Sequence, residues 1–164
     1  MDGVIDRELA AFLERPVMLV TALRSSDGKA AIARGMGVRL SMGGDIVDLL
    51  VSRAQWPKAV EDLQKGAAIA LTVCDPTDYT TFQIKGLLLA CADADDADLS
   101  LGAAYRARIF AHLKTLGVED RQIGCWLTAD ALVRLSFTPL AVFHQTPGAA
   151  AGAIRASSSE GLFP

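Results

Sequence analysis

Residues 31–71 read AIARGMGVRL SMGGDIVDLL VSRAQWPKAV EDLQKGAAIA L, and this stretch decides the fold. The stretch from Lys29 to Leu40 has strand composition. Ser41-Met42-Gly43-Gly44-Asp45 then reverses the chain, because paired glycines accept positive φ, and Ile46 to Ser52 returns as an antiparallel neighbour. Pro57 suits the first turn of a short helix in which Trp56, Val60 and Leu63 share a face, and Gly66 is expected to cap its end. Ala67 to Cys74 alternates Ile69, Leu71 and Val73 with the small residues Ala68, Ala70 and Thr72. One face of that strand is predicted to enter a core, and the other to permit close approach, as a subunit contact would need. Ser52 and Arg53 fall where the second strand stops. A hydroxyl beside a guanidinium fork suits an anion such as the phosphate of a nucleotide cofactor, with no glycine-rich loop required.

Outward from this stretch the pattern continues. Asp6, Glu8, Leu9, Phe12 and Leu13 predict a short amphipathic helix that ends before Pro16 and packs across a barrel end. Val17 to Leu23 is a strand, and Ser25-Ser26-Asp27-Gly28 supplies the turn that pairs it with the next. In the strand from Thr80 to Cys91, Thr81, Gln83 and Lys85 point one way while Phe82 and Ile84 point the other. The acidic loop Asp93 to Asp98 leads into the longest helix, capped by Asp98 or Ser100, with Leu101, Tyr105, Ile109, Leu113 and Leu116 on its buried side. Ala131 to Phe143 is the last predicted strand, and Pro139 implies an edge or a bulge there. Residues 1–147 read as one barrel domain. Residues 148–164 form an Ala/Gly/Ser-rich tail, expected to dock on the barrel or a partner subunit through Ile154, Leu162 and Phe163.

A chain of 164 residues, 51% hydrophobic, has room for one core. With a net charge of −3 and scattered Lys and Arg, nucleic acid is not an expected partner. No apolar run is long enough to span a bilayer and Met1-Asp2-Gly3-Val4 does not resemble a secretory start, so no membrane partner and a cytoplasmic location are expected. The three cysteines, Cys74, Cys91 and Cys125, form no CxxC pair and read as buried packing residues. His112 and His144 have no second ligand at metal spacing, which argues against a zinc site and leaves His144 open as an axial haem ligand. Walker, Rossmann and GxSxG signatures are absent. The carboxylates at Glu61-Asp62 and Asp93 to Asp98 read as solvated charge. Tyr79 and Trp126 are candidates for stacking on a flat ligand, whereas Trp56 and Tyr105 read as packing.

The order of elements and the segment Val47 to Leu71 resemble the pyridoxamine 5'-phosphate oxidase-like proteins over roughly Leu9 to His144. The resemblance implies an α+β, mainly β fold: a six-stranded antiparallel split barrel of the FMN-binding type with peripheral helices. Arg34-Gly35-Met36-Gly37-Val38-Arg39 is similar to the family strand in which an Arg is followed by alternating apolar residues and a further basic residue, so Arg34, Met36 and Arg39 are implied cofactor contacts. Ser52, Arg53 and Lys58 correspond to the phosphate-binding hydroxyl and basic residues. Gln83, with Thr81 and Lys85 beside it, corresponds to the polar side chain offered to the isoalloxazine edge across a dimer. The function so implied is a homodimeric FMN-dependent oxidoreductase acting on a small molecule. The alternatives are an F420-dependent reductase, a non-catalytic haem- or flavin-nucleotide-binding protein, and an empty dimerising scaffold.

Overall fold

The computed structural model describes residues 3–24 and 27–158. Its elements are α1 (Arg7–Leu13), β1 (Met18–Arg24), β2 (Ala30–Leu40), β3 (Val47–Ser52), α2 (Pro57–Val60), β4 (Ala68–Cys74), β5 (Thr81–Asp93), α3 (Asp96–Thr115), α4 (Asp120–Gly124), β6 (Leu132–His144) and β7 (Ile154–Ser157). The strands run β3-β2-β1-β4-β5-β6-β7 across the sheet, every pairing antiparallel, and β3 also pairs with β6. That last pairing closes β1 to β6 into the expected six-stranded barrel. Closure removes the open edges that would otherwise invite pairing with other chains.

Inward-facing side chains fill the barrel. Leu19, Leu49, Leu71, Ile84, Leu135 and Phe137, one or two from each of several strands, are at most 1% exposed. Gly35 makes room for them: a Cβ there would lie 2.6 Å from Leu19 Cβ and 2.8 Å from Leu49 Cδ1. The register of β5 against β6 shifts between Lys85 and Gly86, opposite Pro139. A proline lacks the N–H a regular ladder needs, and the bulge is where that loss is tolerated. Gly86 is required at the same place, since its Cβ would approach Thr138 O to 2.1 Å.

The barrel parts along β6. Leu132 to Phe137 pair with β3, whereas Ala141 to Phe143 pair with β7. The tail therefore docks as a short edge strand, held by Arg155, whose guanidinium reaches Asp6 and Glu8 and lies 5.0 Å from the Phe82 ring. Ile154 is 64% exposed and does not anchor the tail; the other expected anchors, Leu162 and Phe163, lie outside the described residues. Outside the barrel, α3 lies on β2 and β3 at a close crossing. A Cβ on Gly102 would sit 2.8 Å from Leu132 Cδ1, and one on Gly37 3.3 Å from Leu101 Cγ. Tyr105 locks the far end, donating its hydroxyl to Val17 O at 2.9 Å.

Several local expectations are corrected. Asp95, not Asp98 or Ser100, is the N-cap of α3, in a reciprocal capping box with Asp98. The helix α2 ends at Val60, so Gly66 caps nothing; its φ of 85° serves a separate turn into β4. Leu116 lies beyond the packed face of α3 and is exposed. Cys91 and Cys125 are exposed rather than buried, because each falls on an outward position of an element end. Among the described residues, no helix is long and apolar enough to cross a membrane.

Candidate functional site

The open face of the barrel is built by register. Arg34 on β2 lies beside Val20 on β1, Val20 beside Thr72 on β4, Thr72 beside Gln83 on β5, and Gln83 beside Phe143 on β6. The neighbouring row runs Ile32, Ala22, Ala70 and Lys85. Since Leu19, Thr21, Leu23, Ile69, Leu71 and Val73 point inward and are buried, the residues between them point out. Four strand spacings from Arg34 to Phe143 make a floor about 19 Å wide. Its centre carries only small side chains, and Ile32, at 65% exposure, stands at its margin.

Two cations flank this floor, each resting on an aromatic ring. The Arg34 guanidinium lies 4.2 Å from the Trp126 ring and the Lys85 ammonium 4.5 Å from the Phe143 ring. Neither has an ion-pair partner among the described residues. Gln83 Nε2 donates to Thr72 Oγ1 at 3.1 Å, which fixes the amide and leaves its oxygen without a protein donor among the described residues. Thr81 is buried and donates to Tyr79 O, so it takes no part in the open row. Alternation identified Gln83 and Lys85. Val20, Thr72 and Phe143 were missed because membership of a row depends on the pairing of strands distant in sequence.

The remaining predicted contacts do not join them. Ser52 is fully buried; its Oγ donates to Asp130 O at 2.6 Å and accepts from Gln55 N at 3.2 Å. Arg53 pairs with Asp93 at 2.9 Å, both exposed. Met36 is 1% exposed beneath α3. Lys58 lines a shallow depression with Asp27, Lys29, Glu61 and Asp62. Arg39 is held through Nη2 by Asp48 at 2.9 Å and Asp98 at 3.1 Å. The Asp48 bond is the main influence raising its already high pKa. Arg134 completes the cluster, bonding both Asp95 and the fully buried Asp98. What read as a solvated acidic loop is thus in part a buried ionic junction between α3 and the barrel. Trp126, read as a ligand-stacking candidate, is stacked on Arg34, while Tyr79 is exposed with φ of 60°. His144 packs 5.5 Å from Phe82, and its backbone bonds Gly152 and Ala153 of the tail. Among the described residues, no three His, Cys, Asp or Glu are grouped to hold a metal ion.

No family model matches the sequence, and no curated protein matches it. Solved structures do. An F420 reductase aligns with a TM-score of 0.52 at 17% identity, covering 84% of this chain and 98% of its own. HupZ of Group A Streptococcus aligns with a TM-score of 0.50 at 14% identity, covering 90% and 99%. The chain has the split-barrel fold. A pyridoxamine 5'-phosphate oxidase-related, FMN-binding split barrel from Nostoc punctiforme aligns at 17% identity with a TM-score of 0.47, over 84% of this chain and 81% of its own.

The fit of a flavin to this split barrel differs between two regions. The open face presents small residues between Arg34 and Lys85, neither of which has an ion-pair partner among the described residues, and the half-free amide of Gln83, groups of the kind a flavin's polar edge and phosphate need. The face of β2 and β3 under α3 does not fit, since Met36 and Leu50 are buried and α3 lies over them.

Proposed function

We propose that two copies of this chain pack through the open face and hold FMN there, forming an oxidoreductase that exchanges hydride with a small molecule. The row Arg34, Val20, Thr72, Gln83 and Phe143, with Lys85 beside it, supports this reading. A bound flavin supplies the redox chemistry. The protein's part is to place and polarise. Arg34 offers a planar fork of donors to the phosphate, and Arg53 joins it by exchanging its exposed Asp93 partner, a pair weak enough to yield. Ser52 contributes by holding the strand end rather than by touching the ligand, because its hydroxyl is already satisfied. The amide of Gln83 meets the polar edge of the ring, and the ammonium of Lys85 favours added negative charge beside it. The small floor excludes water when the second copy closes over it. Three unpaired cysteines are consistent with a cytoplasmic, reducing setting.

An absorption spectrum of the purified protein, followed by titration with FMN, F420 and haemin, tests the reading. FMN is expected to bind, and Arg34→Ala and Lys85→Gln are each expected to weaken it about tenfold, or about 1.4 kcal/mol. Unchanged FMN affinity in both variants would rule out this face. A Soret band that disappears in His144→Ala would replace flavin with haem, and preferential binding of F420 would replace FMN with the deazaflavin.

A further inference from the structure

Apart from the open face, the molecule carries a concave site beside α3. It is a cleft of about 470 Å³, within the size range of small-molecule sites, bounded by α1, the end of β2 and α3. Ala10, Leu13 and Glu14 come from one face of α1, and Leu101 and Arg108, seven residues apart, from one face of α3. Val38, Arg39 and Leu40 form the floor. Its lining sorts into three kinds of group: an apolar surface, the two guanidiniums of Arg39 and Arg108, and the carboxylate of Glu14.

The two guanidiniums are oriented from behind. Arg39 spends a single nitrogen, Nη2, on Asp48 and Asp98, and its Nε and Nη1 donate to nothing among the described residues. The fully buried Asp98 is itself fixed by Arg134 and by the backbone N–H of Asp95. Arg108 donates Nη1 to the backbone carbonyl of Glu14 at 3.1 Å, which ties its head to the α1 rim and leaves its other nitrogens open. Glu14 has no ion-pair partner among the described residues. Donors held by their own scaffold lose less freedom when a ligand arrives.

We propose that this cleft binds an amino acid with an apolar side chain. Its carboxylate bridges Arg39 and Arg108, its ammonium meets Glu14, and its side chain lies on Leu13, Val38, Leu40 and Leu101. A simple carboxylate would satisfy the guanidiniums but meet the charge of Glu14, and a simple amine would do the reverse. A zwitterion with an apolar body matches all of the lining. The site is separate from the open face, so its success or failure is independent of flavin binding.

Calorimetric titration with L-leucine and L-phenylalanine, read alongside amide chemical shifts, provides the test. Saturable binding of L-leucine is expected, with shifts confined to α1, the end of β2 and α3. Arg108→Ala, an exposed position whose loss leaves the fold intact, should weaken it at least tenfold, and Glu14→Gln should weaken it several-fold. Arg39 is not the variant of choice, because its removal disturbs the Asp98 junction. 4-Methylpentanoate and isopentylamine, each lacking one charge, should bind more weakly than leucine. No saturation by either amino acid at about 10 mM, corresponding to less than about 3 kcal/mol of binding, would overturn the proposal. Unchanged affinity in Arg108→Ala, or 4-methylpentanoate binding as tightly as leucine, would overturn it equally.

Discussion

Asp98 joins three elements, α3, β2 and β6, through its side chain. With no exposed surface, it accepts from Arg39 of β2 through Oδ1 and from Arg134 of β6 and the N–H of Asp95 through Oδ2. A buried carboxylate is tolerable only with such partners, since desolvation alone disfavours its charge by several kcal/mol. Asp98→Ala removes three acceptor contacts at once and leaves a void under the first turn of α3. We expect a loss of about 3 kcal/mol of stability in urea unfolding, and a smaller loss, about 1–2 kcal/mol, for Asp98→Asn, which keeps an acceptor oxygen. Equal stability of Asp98→Ala and the parent would mean that the junction is not formed in solution. Asp98 was not legible in the sequence as a structural residue. Asp93, Asp95, Asp96 and Asp98 look alike there, and what distinguishes Asp98 is a pair of arginines 59 and 36 residues away that arrive only when the barrel closes.

At the scale of elements, the helix caps carry a pH dependence. Asp6 accepts the N–H of Leu9 to start α1, and Asp95 accepts that of Asp98 to start α3. In both, the backbone hydrogen bond is the leading influence holding the carboxyl below its ordinary range, with Arg155 and Arg134 respectively adding to it. A carboxyl whose folded pKa is depressed contributes stability that is present above its unfolded pKa and lost as pH falls through the folded one. The protein should therefore unfold at lower urea concentration as pH drops from 5 to 3, on the order of the ordinary carboxylate range. In Asp95→Asn, which caps without titrating, that slope should be shallower; an identical slope would count against Asp95. Strands such as β1 and β4 were legible because alternation fixes which side chains turn inward, whereas β3, buried on both faces, does not alternate in exposure. The strand β7 was not legible, since four residues in an Ala/Gly/Ser-rich tail carry no periodic signal. Its pairing is supplied by β6, which offers a free edge where it leaves β3.

At the scale of the whole molecule, closure of the barrel and the placement of α3 leave a broad sheet face that none of the described residues covers as a layer. α3 shields β2 and β3, the tail shields part of β6, and the face of β1, β4 and β5 remains, with Ile32, Leu87 and Ile154 exposed around it. A stable twofold contact needs about 800 Å² from each partner; a floor about 19 Å wide on seven-residue strands spans about 450 Å² of sheet, and the side chains around its margin have to supply the rest. The small residues Ala22, Ala70 and Thr72 let a second backbone approach closely, and a twofold axis would bring Lys85 and Gln83 of one copy toward Arg34 of the other. Ile32 is the position at which to break such a contact, because it is exposed in one copy and a charged group there has to be desolvated when the face is covered. Ile32→Glu should leave the circular dichroism spectrum and the unfolding midpoint of the barrel nearly unchanged while burying a charge in the proposed contact, a desolvation cost that Arg34, two residues along the same strand face, offsets only in part. Light scattering at micromolar concentration should then report a dimer for the parent and a monomer for Ile32→Glu. Loss of FMN binding in the same variant would tie the cofactor to the contact. A dimer that persists in Ile32→Glu would place the contact elsewhere on the barrel, and a parent that is monomeric would leave the face open to a different protein.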